Sequence, residues 1–170
     1  GDQIVAFARK NYDFCEIVPV AQHEPQGLGQ AVYLTRECAE GHPTLIVYGD
    51  TVFDTDLSEA VARQADGAIG VRKVDDPARF GVVAVDGRRI LRLVEKPEQF
   101  VSDLAIVGIN FIRDSAALYS ALETLIDRDL RTRGEFQLTD AFNMMVERGS
   151  RLDTFPVENW FDCGAPDTLL

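Results

Sequence analysis

No stretch of this chain approaches the ~20 consecutive apolar residues that cross a bilayer, so neither a membrane span nor a membrane partner is expected. Histidine is scarce: His23 and His42 are the only two, too few for zinc chemistry built on histidine ligands. The three cysteines, Cys15, Cys38 and Cys163, lie far apart with no C-x-x-C spacing, which excludes a disulfide framework and fits a reducing, cytoplasmic setting. Basic residues are outnumbered, 17 against 28 acidic, and the net charge of -11 disfavours any partner held by its phosphate backbone, so nucleic acid is not expected. A small phosphorylated ligand stays open, because one lysine, a helix N-terminus or a divalent cation can outweigh the global field locally. There is no G-x-S-x-G elbow and no serine or cysteine nucleophile set, which removes acyl transfer.

What is present is a chain of 170 residues, 46% hydrophobic, long enough to bury one substantial core as a single domain over residues 1–170. No repeat, linker or low-complexity segment divides it. Ile4, Phe7 and Ala8 open the chain at helical spacing, and "APDTLL" closes it like the first turn of another helix; both ends read as interior sequence, and a piece of a longer protein is expected. Between them, "FCEIVPVAQ" reads as a strand. Leu28, Ala31, Val32, Thr35, Cys38 and Ala39 read as one helix face ending near Gly41, and the continuous apolar run in "PTLIVYGD" as a parallel strand covered on both sides. A short helix with Asp56 as cap and Glu59 three residues on follows, then the strand "GAIGVRKV" and a hairpin turning on Asp86–Gly87. The strand "LAIVGINFI", a helix capped by Asp114 or Ser115, a helix burying Leu138, Ala141, Phe142 and Met145, a strand "RLDTFPVE" and a turn "NWFDCG" complete it. Strand, helix, strand with a hairpin predicts an α/β fold on a mixed, mostly parallel sheet.

Four places carry candidate chemistry. "QGLGQAV" fails the dinucleotide fingerprint, since Val32 stands where the third glycine belongs, and it lacks a Gly-Lys-Ser/Thr phosphate loop. It is either a helix-capping turn or a base site, in which Gln22 offers both a donor and an acceptor to a pyrimidine's imide edge. Asp50 ends a strand in Gly-Asp, where open α/β sheets bind ligands, and is either a ligand for a hard cation or a turn aspartate. Asp54 and Asp56, in "DTD", match the metal pair of glycosyltransferases, although Asp56 already has a role as a helix cap. In "VEKP", Glu95 and Lys96 face opposite ways on a regular strand, so both reach one ligand only if the strand bends before Pro97; otherwise they are an edge charge pair. Asp162 is tethered beside Trp160 and Phe161 and therefore fixed in place.

In order, "QHEPQGLGQA", "LIVYGD", "FGVV", "VEKP", "AIVGINF", "GEFQLTDA" and "WFDCG" resemble the sugar-1-phosphate nucleotidyltransferases, and most of all the glucose-1-phosphate thymidylyltransferases and their uridylyltransferase relatives. The resemblance runs through nearly all of the chain and implies a Rossmann-like α/β/α fold. It implies an enzyme that joins a nucleoside triphosphate to a sugar 1-phosphate with Mg²⁺, releases pyrophosphate, and commonly assembles as a homo-oligomer. By resemblance, Gln22 and Gly27 read the pyrimidine, Asp50 and Asp162 hold magnesium, and the Gly81 backbone meets the sugar. Glu95 binds sugar hydroxyls, Lys96 the sugar phosphate, and Gly108 lines the sugar pocket. In-line attack on an α-phosphate needs alignment and charge neutralisation more than a protein nucleophile, consistent with the missing nucleophile set. The family's opening G-G-x-G-T-R loop, which grips the triphosphate, has no counterpart here, so the sheet is expected to be N-terminally incomplete, with an open neighbouring edge and no turnover by these residues alone. A non-catalytic nucleotide-sugar binding module and a glycosyltransferase using "DTD" are the competing readings.

Overall fold

The longest apolar run, Leu104–Ile112, becomes the strand around which the sheet is organised, and all but its first residue are buried. The computed structural model describes residues 1–163, so the reading of "APDTLL" as a helix lies outside the described residues. In chain order the elements are helices α1 (Asp2–Asn11), α2 (Leu28–Tyr33) and α3 (Arg36–Ala39), strands β1 (Thr44–Val47) and β2 (Thr51–Asp54), and helix α4 (Ser58–Ala62). Strands β3 (Gly67–Lys73), β4 (Gly81–Asp86), β5 (Arg89–Glu95) and β6 (Leu104–Ile112) follow. Helices α5 (Ser115–Asp127) and α6 (Leu138–Glu147) and strands β7 (Leu152–Pro156) and β8 (Asn159–Asp162) complete the described chain.

The main sheet has the order β1-β6-β3-β7-β5-β4, and β4 also meets the start of β6. Strands β1, β3, β4 and β7 run one way and β5 and β6 the other, so the sheet is mixed as expected but mostly antiparallel rather than mostly parallel: among the described residues β3–β7 is its one parallel ladder, because β5 and β6 return through the sheet in the opposite direction. One face packs on α2, α5 and α6 through Val32, Ile69, Ile106, Leu118, Leu122, Leu138, Phe142 and Leu152. The other is closed by α4 and the β2–β8 ribbon through Ala60, Phe53, Trp160, Val107, Ile109 and Phe155. The α/β layering follows from residue chemistry. Val, Ile and Phe alternate across β3 and β6 to feed both faces, while α6 presents one apolar stripe. Among the described residues no helix is long and apolar enough to cross a membrane.

Five local expectations need correction. Residues 14–22 form no strand: they are largely exposed, Pro19 supplies no donor, and no described sheet edge pairs with them, whereas a strand exists only through its partner. The helix expected to run to Gly41 is broken at Thr35, whose hydroxyl and amide both turn back to the Val32 carbonyl at 2.7 and 3.0 Å; Cys38 is therefore exposed rather than on a buried face. β1 is an edge strand antiparallel to β6, with Leu45 and Val47 nearly half exposed, because the reversed strand β6 stands between β1 and β3. The hairpin turns on Gly87–Arg88, with positive φ at Gly87 alone, the pattern of a type II′ turn. Finally, "NWFD" is strand β8, paired with β2, and not a turn.

α1 forms as expected but buries none of its residues. Asp56 is not the cap expected of it: α4 starts one residue later, with Leu57 in the cap position, and the Asp56 carboxylate instead accepts from the Ser58 amide and hydroxyl at 2.8 and 2.9 Å, while Glu59 pairs with Arg63 and Arg88. Asp114 caps α5 by accepting from Ala117 N.

Candidate active site

The site begins with a bulge in β6. Between the pairs Ile69↔Asn110 and Val71↔Ile106, β6 spends four positions where β3 spends two, and Gly108 within that bulge has φ 75°. Its carbonyl accepts from Tyr48 N at 2.9 Å, fastening the end of β1, while the Tyr48 ring lies against its Cα: a Cβ there would sit 2.6 Å from the ring. From this anchor the chain turns through Gly49 to Asp50, an exposed residue whose carboxylate makes no hydrogen bond or ion pair among the described residues. The Asp50 carbonyl accepts from Cys163 N at 2.8 Å, and Thr51 pairs with Asp162, so the backbones carrying the two expected metal ligands are neighbours. The side chain of Asp162 lies outside the described part of the structure.

The bend required of "VEKP" is present. Glu95 is the last residue of β5, in register with Gly81, whereas Lys96 takes φ 41°, with its amide donating to the Phe80 carbonyl at 3.0 Å. Glu95 Oε2 accepts from the Thr139 hydroxyl at 2.8 Å, and Gly81 leaves room for both: a Cβ on it would be 2.8 Å from Thr139 Oγ1 and 2.9 Å from Glu95 Oε2. Asp50, Gly81, Glu95, Lys96 and Gly108, drawn from four separate stretches of sequence, thus line one cleft of about 250 Å³. Phe80 and Trp160, edge to face at 5.5 Å, also line it, and the buried Trp160 indole N–H has no partner among the described residues. Burial, then the negative charges of Glu95 and Asp50, push the Tyr48 phenol above its ordinary value, so Tyr48 stays neutral near both carboxylates.

Gln22 and Gly27 come together beside this cleft, not within its lining. Gln22 Nε2 donates to the Gly27 carbonyl (3.1 Å) and to Gln30 Oε1 (2.6 Å), and Leu28 connects the turn to the cleft wall. The glycines of "QGLG" have a packing reason too. Gly27, at φ 108°, caps α2 with the Phe136 carbonyl 2.6 Å from where its Cβ would be, and Gly29 N donates to that carbonyl at 2.7 Å.

Sequence reasoning missed Thr139 and Tyr48 as site residues. Both stand in the motifs "QLTDA" and "LIVYGD", where spacing alone assigns them to a helix start and a buried strand; a hydroxyl on a core-facing first helical turn is the available signal. Asp140, next to Thr139, is half-buried, and burial holds its carboxyl above the usual range. A raised folded-state pKa means the folded chain binds the proton more tightly than the unfolded chain. Its stability contribution is therefore complete below the unfolded value of about 3.9 and is lost as pH rises through the raised one. Asp140→Asn is expected to raise the melting temperature at neutral pH and to lose that advantage in acid; thermal unfolding at both pH values checks it.

The "DTD" pair fares differently. Asp56 is engaged by Ser58, which keeps its carboxylate below the usual range, and Asp54 lies in the β2–β8 ribbon in register with Asn159, away from the cleft that Asp50 lines. Among the described residues no group of three or more His, Cys, Asp or Glu side chains is placed to hold a metal.

The chain is similar in sequence and fold to known proteins. The family model for nucleotidyl transferase matches residues 3–170. A bifunctional protein GlmU of Methanococcus aeolicus is 33% identical over 166 residues, covering 95% of this chain and 38% of its own. The UTP–glucose-1-phosphate uridylyltransferase AglF of Haloferax volcanii is 30% identical over 154 residues, covering 86% of this chain and 61% of its own. A Bacillus anthracis structure assigned as a glucose-1-phosphate thymidylyltransferase, in complex with sucrose, superposes with a TM-score of 0.80 at 26% identity, covering 99% of this chain and 68% of that one. The chain spans less than two thirds of the length of the curated relatives it matches.

Proposed function

Because this chain belongs to the nucleotidyl transferase family, we propose that it carries the base, metal and sugar-phosphate sites of an enzyme joining a pyrimidine nucleoside triphosphate, dTTP or UTP, to glucose 1-phosphate. The observation that carries this reading is the convergence of Asp50, Gly81, Glu95 and Lys96 on one cleft. Glu95 accepts from sugar hydroxyls, with Thr139 holding one carboxylate oxygen, and Gly81 lets the sugar approach the backbone. The Lys96 ammonium, turned off the strand by its left-handed backbone, neutralises and aligns the attacking phosphate. Gln22, its Nε2 already donating to Gly27 and Gln30, offers its Oε1 as an acceptor to the pyrimidine N3–H rather than the donor-acceptor pair expected of a free amide. Asp50 and Asp162 would hold Mg²⁺, and their fit rests on an uncommitted carboxylate at Asp50 and the backbone pairing that sets Asp162 beside Thr51. When bound, the ion supplies charge neutralisation at the α-phosphate.

Relatives named as GlmU and as a low-salt glycan nucleotidyltransferase support nucleotidyl transfer broadly, so the pyrimidine and the glucose rest on Gln22, Glu95 and the uridylyl and thymidylyl relatives. Calorimetry of the 170-residue chain with glucose 1-phosphate, against glucose and inorganic phosphate, is the test. Binding of glucose 1-phosphate that falls in Lys96→Met supports the reading; equal response to all three sinks it. Phosphorus NMR with dTTP or UTP, Mg²⁺ and glucose 1-phosphate should show no brisk pyrophosphate release, because the triphosphate loop is not among these residues. Thr139→Val keeps the shape but removes the hydroxyl donor, and should weaken glucose 1-phosphate binding by roughly fivefold, the scale of one hydrogen bond.

A further inference from the structure

Among the described residues Lys96 is one of three non-glycine residues with positive φ, at 41°, and another is Arg133, at 55°. The two are joined: Arg133 Nη2 donates to the Lys96 carbonyl at 3.0 Å. The Lys96 peptide is thereby gripped on both sides, its amide by the Phe80 carbonyl at 3.0 Å and its carbonyl by a guanidinium. A left-handed backbone is disfavoured for a side-chain-bearing residue by roughly tenfold, so a conformation of this kind is kept only when its surroundings hold it. The surroundings here are a fixed platform. Thr132 and Glu135 exchange backbone hydrogen bonds of 3.0 and 3.2 Å, and Phe136 is buried with its amide on the Gln26 carbonyl at 2.9 Å. Arg131 stacks on the Phe136 ring at 4.0 Å while donating to Gln26 Oε1 at 2.9 Å. Arg133 projects from this platform, and no carboxylate among the described residues pairs with it.

We propose that Arg133 is a positioning residue, which holds the Lys96 backbone in its left-handed bend and so aims the ammonium into the cleft that Glu95 lines. The platform that carries it also carries the Gln26–Gly29 turn, so one short loop sets the spacing between the base-reading turn and the phosphate-binding lysine. The functional half of this inference rests on the reading of Lys96 as the sugar-phosphate ligand; the conformational half does not.

The test uses the 170-residue chain. Lys96 ¹³Cα and ¹³Cβ shifts report its backbone conformation without ligand, and calorimetry with glucose 1-phosphate reports its consequence. Arg133→Met should move the Lys96 shifts from left-handed to extended values and weaken glucose 1-phosphate roughly tenfold, the scale of a hydrogen bond from a charged donor. Arg133→Lys, which can still donate, should restore both. In a Lys96→Met background, Arg133→Met should cost no further affinity, because its effect passes through the lysine. Unchanged Lys96 shifts in Arg133→Met overturn the proposal. So does an undiminished Arg133→Met penalty in the Lys96→Met background, which would mean that Arg133 touches the phosphate itself. A wild-type chain that binds no glucose 1-phosphate overturns the reading of Lys96, and the shift comparison then decides the backbone claim alone.

Discussion

Gly108→Ala is expected to destabilise the fold by roughly 2–5 kcal/mol, adding left-handed strain of about 1–2 to overpacking of about 1–3. Both costs apply because Gly108 has φ 75° and a Cβ there would press on Tyr48 Cδ2 at 2.6 Å and Thr51 Oγ1 at 2.9 Å. In a chain of this size each kcal/mol moves the midpoint by about 2–4 °C, so a fall of roughly 4–20 °C is expected in thermal unfolding. Gly87→Ala is the internal comparison: its φ is 59° but its Cβ would meet nothing within 4 Å, so only the backbone cost remains. A Gly108→Ala midpoint no lower than that of Gly87→Ala would show that the β6 bulge does not press against Tyr48.

Gly81→Ala should separate binding from folding. Its added Cβ would meet Thr139 Oγ1 at 2.8 Å and Glu95 Oε2 at 2.9 Å, and of the two the longer Glu95 side chain has the more torsions with which to yield. The carboxylate then leaves both its hydroxyl donor and the place where sugar hydroxyls are accepted. Because a hydrogen bond to a charged group is worth roughly 1.5–3 kcal/mol, affinity for glucose 1-phosphate should fall by about ten- to a hundredfold while the melting midpoint changes little. Unaltered affinity would remove Gly81 and Glu95 from the sugar site; a large loss of stability would give Gly81 a packing role instead.

The candidate site was legible chiefly through the family resemblance, since strand ends alone left Asp50 a possible turn aspartate and Glu95–Lys96 a possible edge charge pair, and singled out neither Gly81 nor Gly108. Asp50 follows a short apolar run, Glu95–Lys96 precedes a proline, and a ligand cleft at strand ends is a general property of open α/β sheets. Helices α5 and α6 were legible directly, since their buried stripes repeat at helical spacing and Asp114 and Gly149 mark a start and a stop. Periodicity fails where partners decide. "EIVPV" has strand composition but no described strand beside it, "TLIV" looks doubly buried yet lies on an edge, and "NWFD" becomes a strand only because β2 is there to pair with it. Thr139 escaped for a related reason: helical spacing places it on the core-facing side, but only the hairpin of β4 and β5 brings Glu95, 44 positions earlier, to its hydroxyl.

The most direct measurement is paramagnetic broadening of backbone amides by Mn²⁺ in the presence of glucose 1-phosphate. The account predicts broadening centred on Asp50, Thr51 and Asp162, reaching Lys96 and Gly108, and abolished by Asp50→Asn but not by Asp56→Asn. Broadening centred instead on Asp54, Asp56 and Glu59, and indifferent to Asp50, would contradict it.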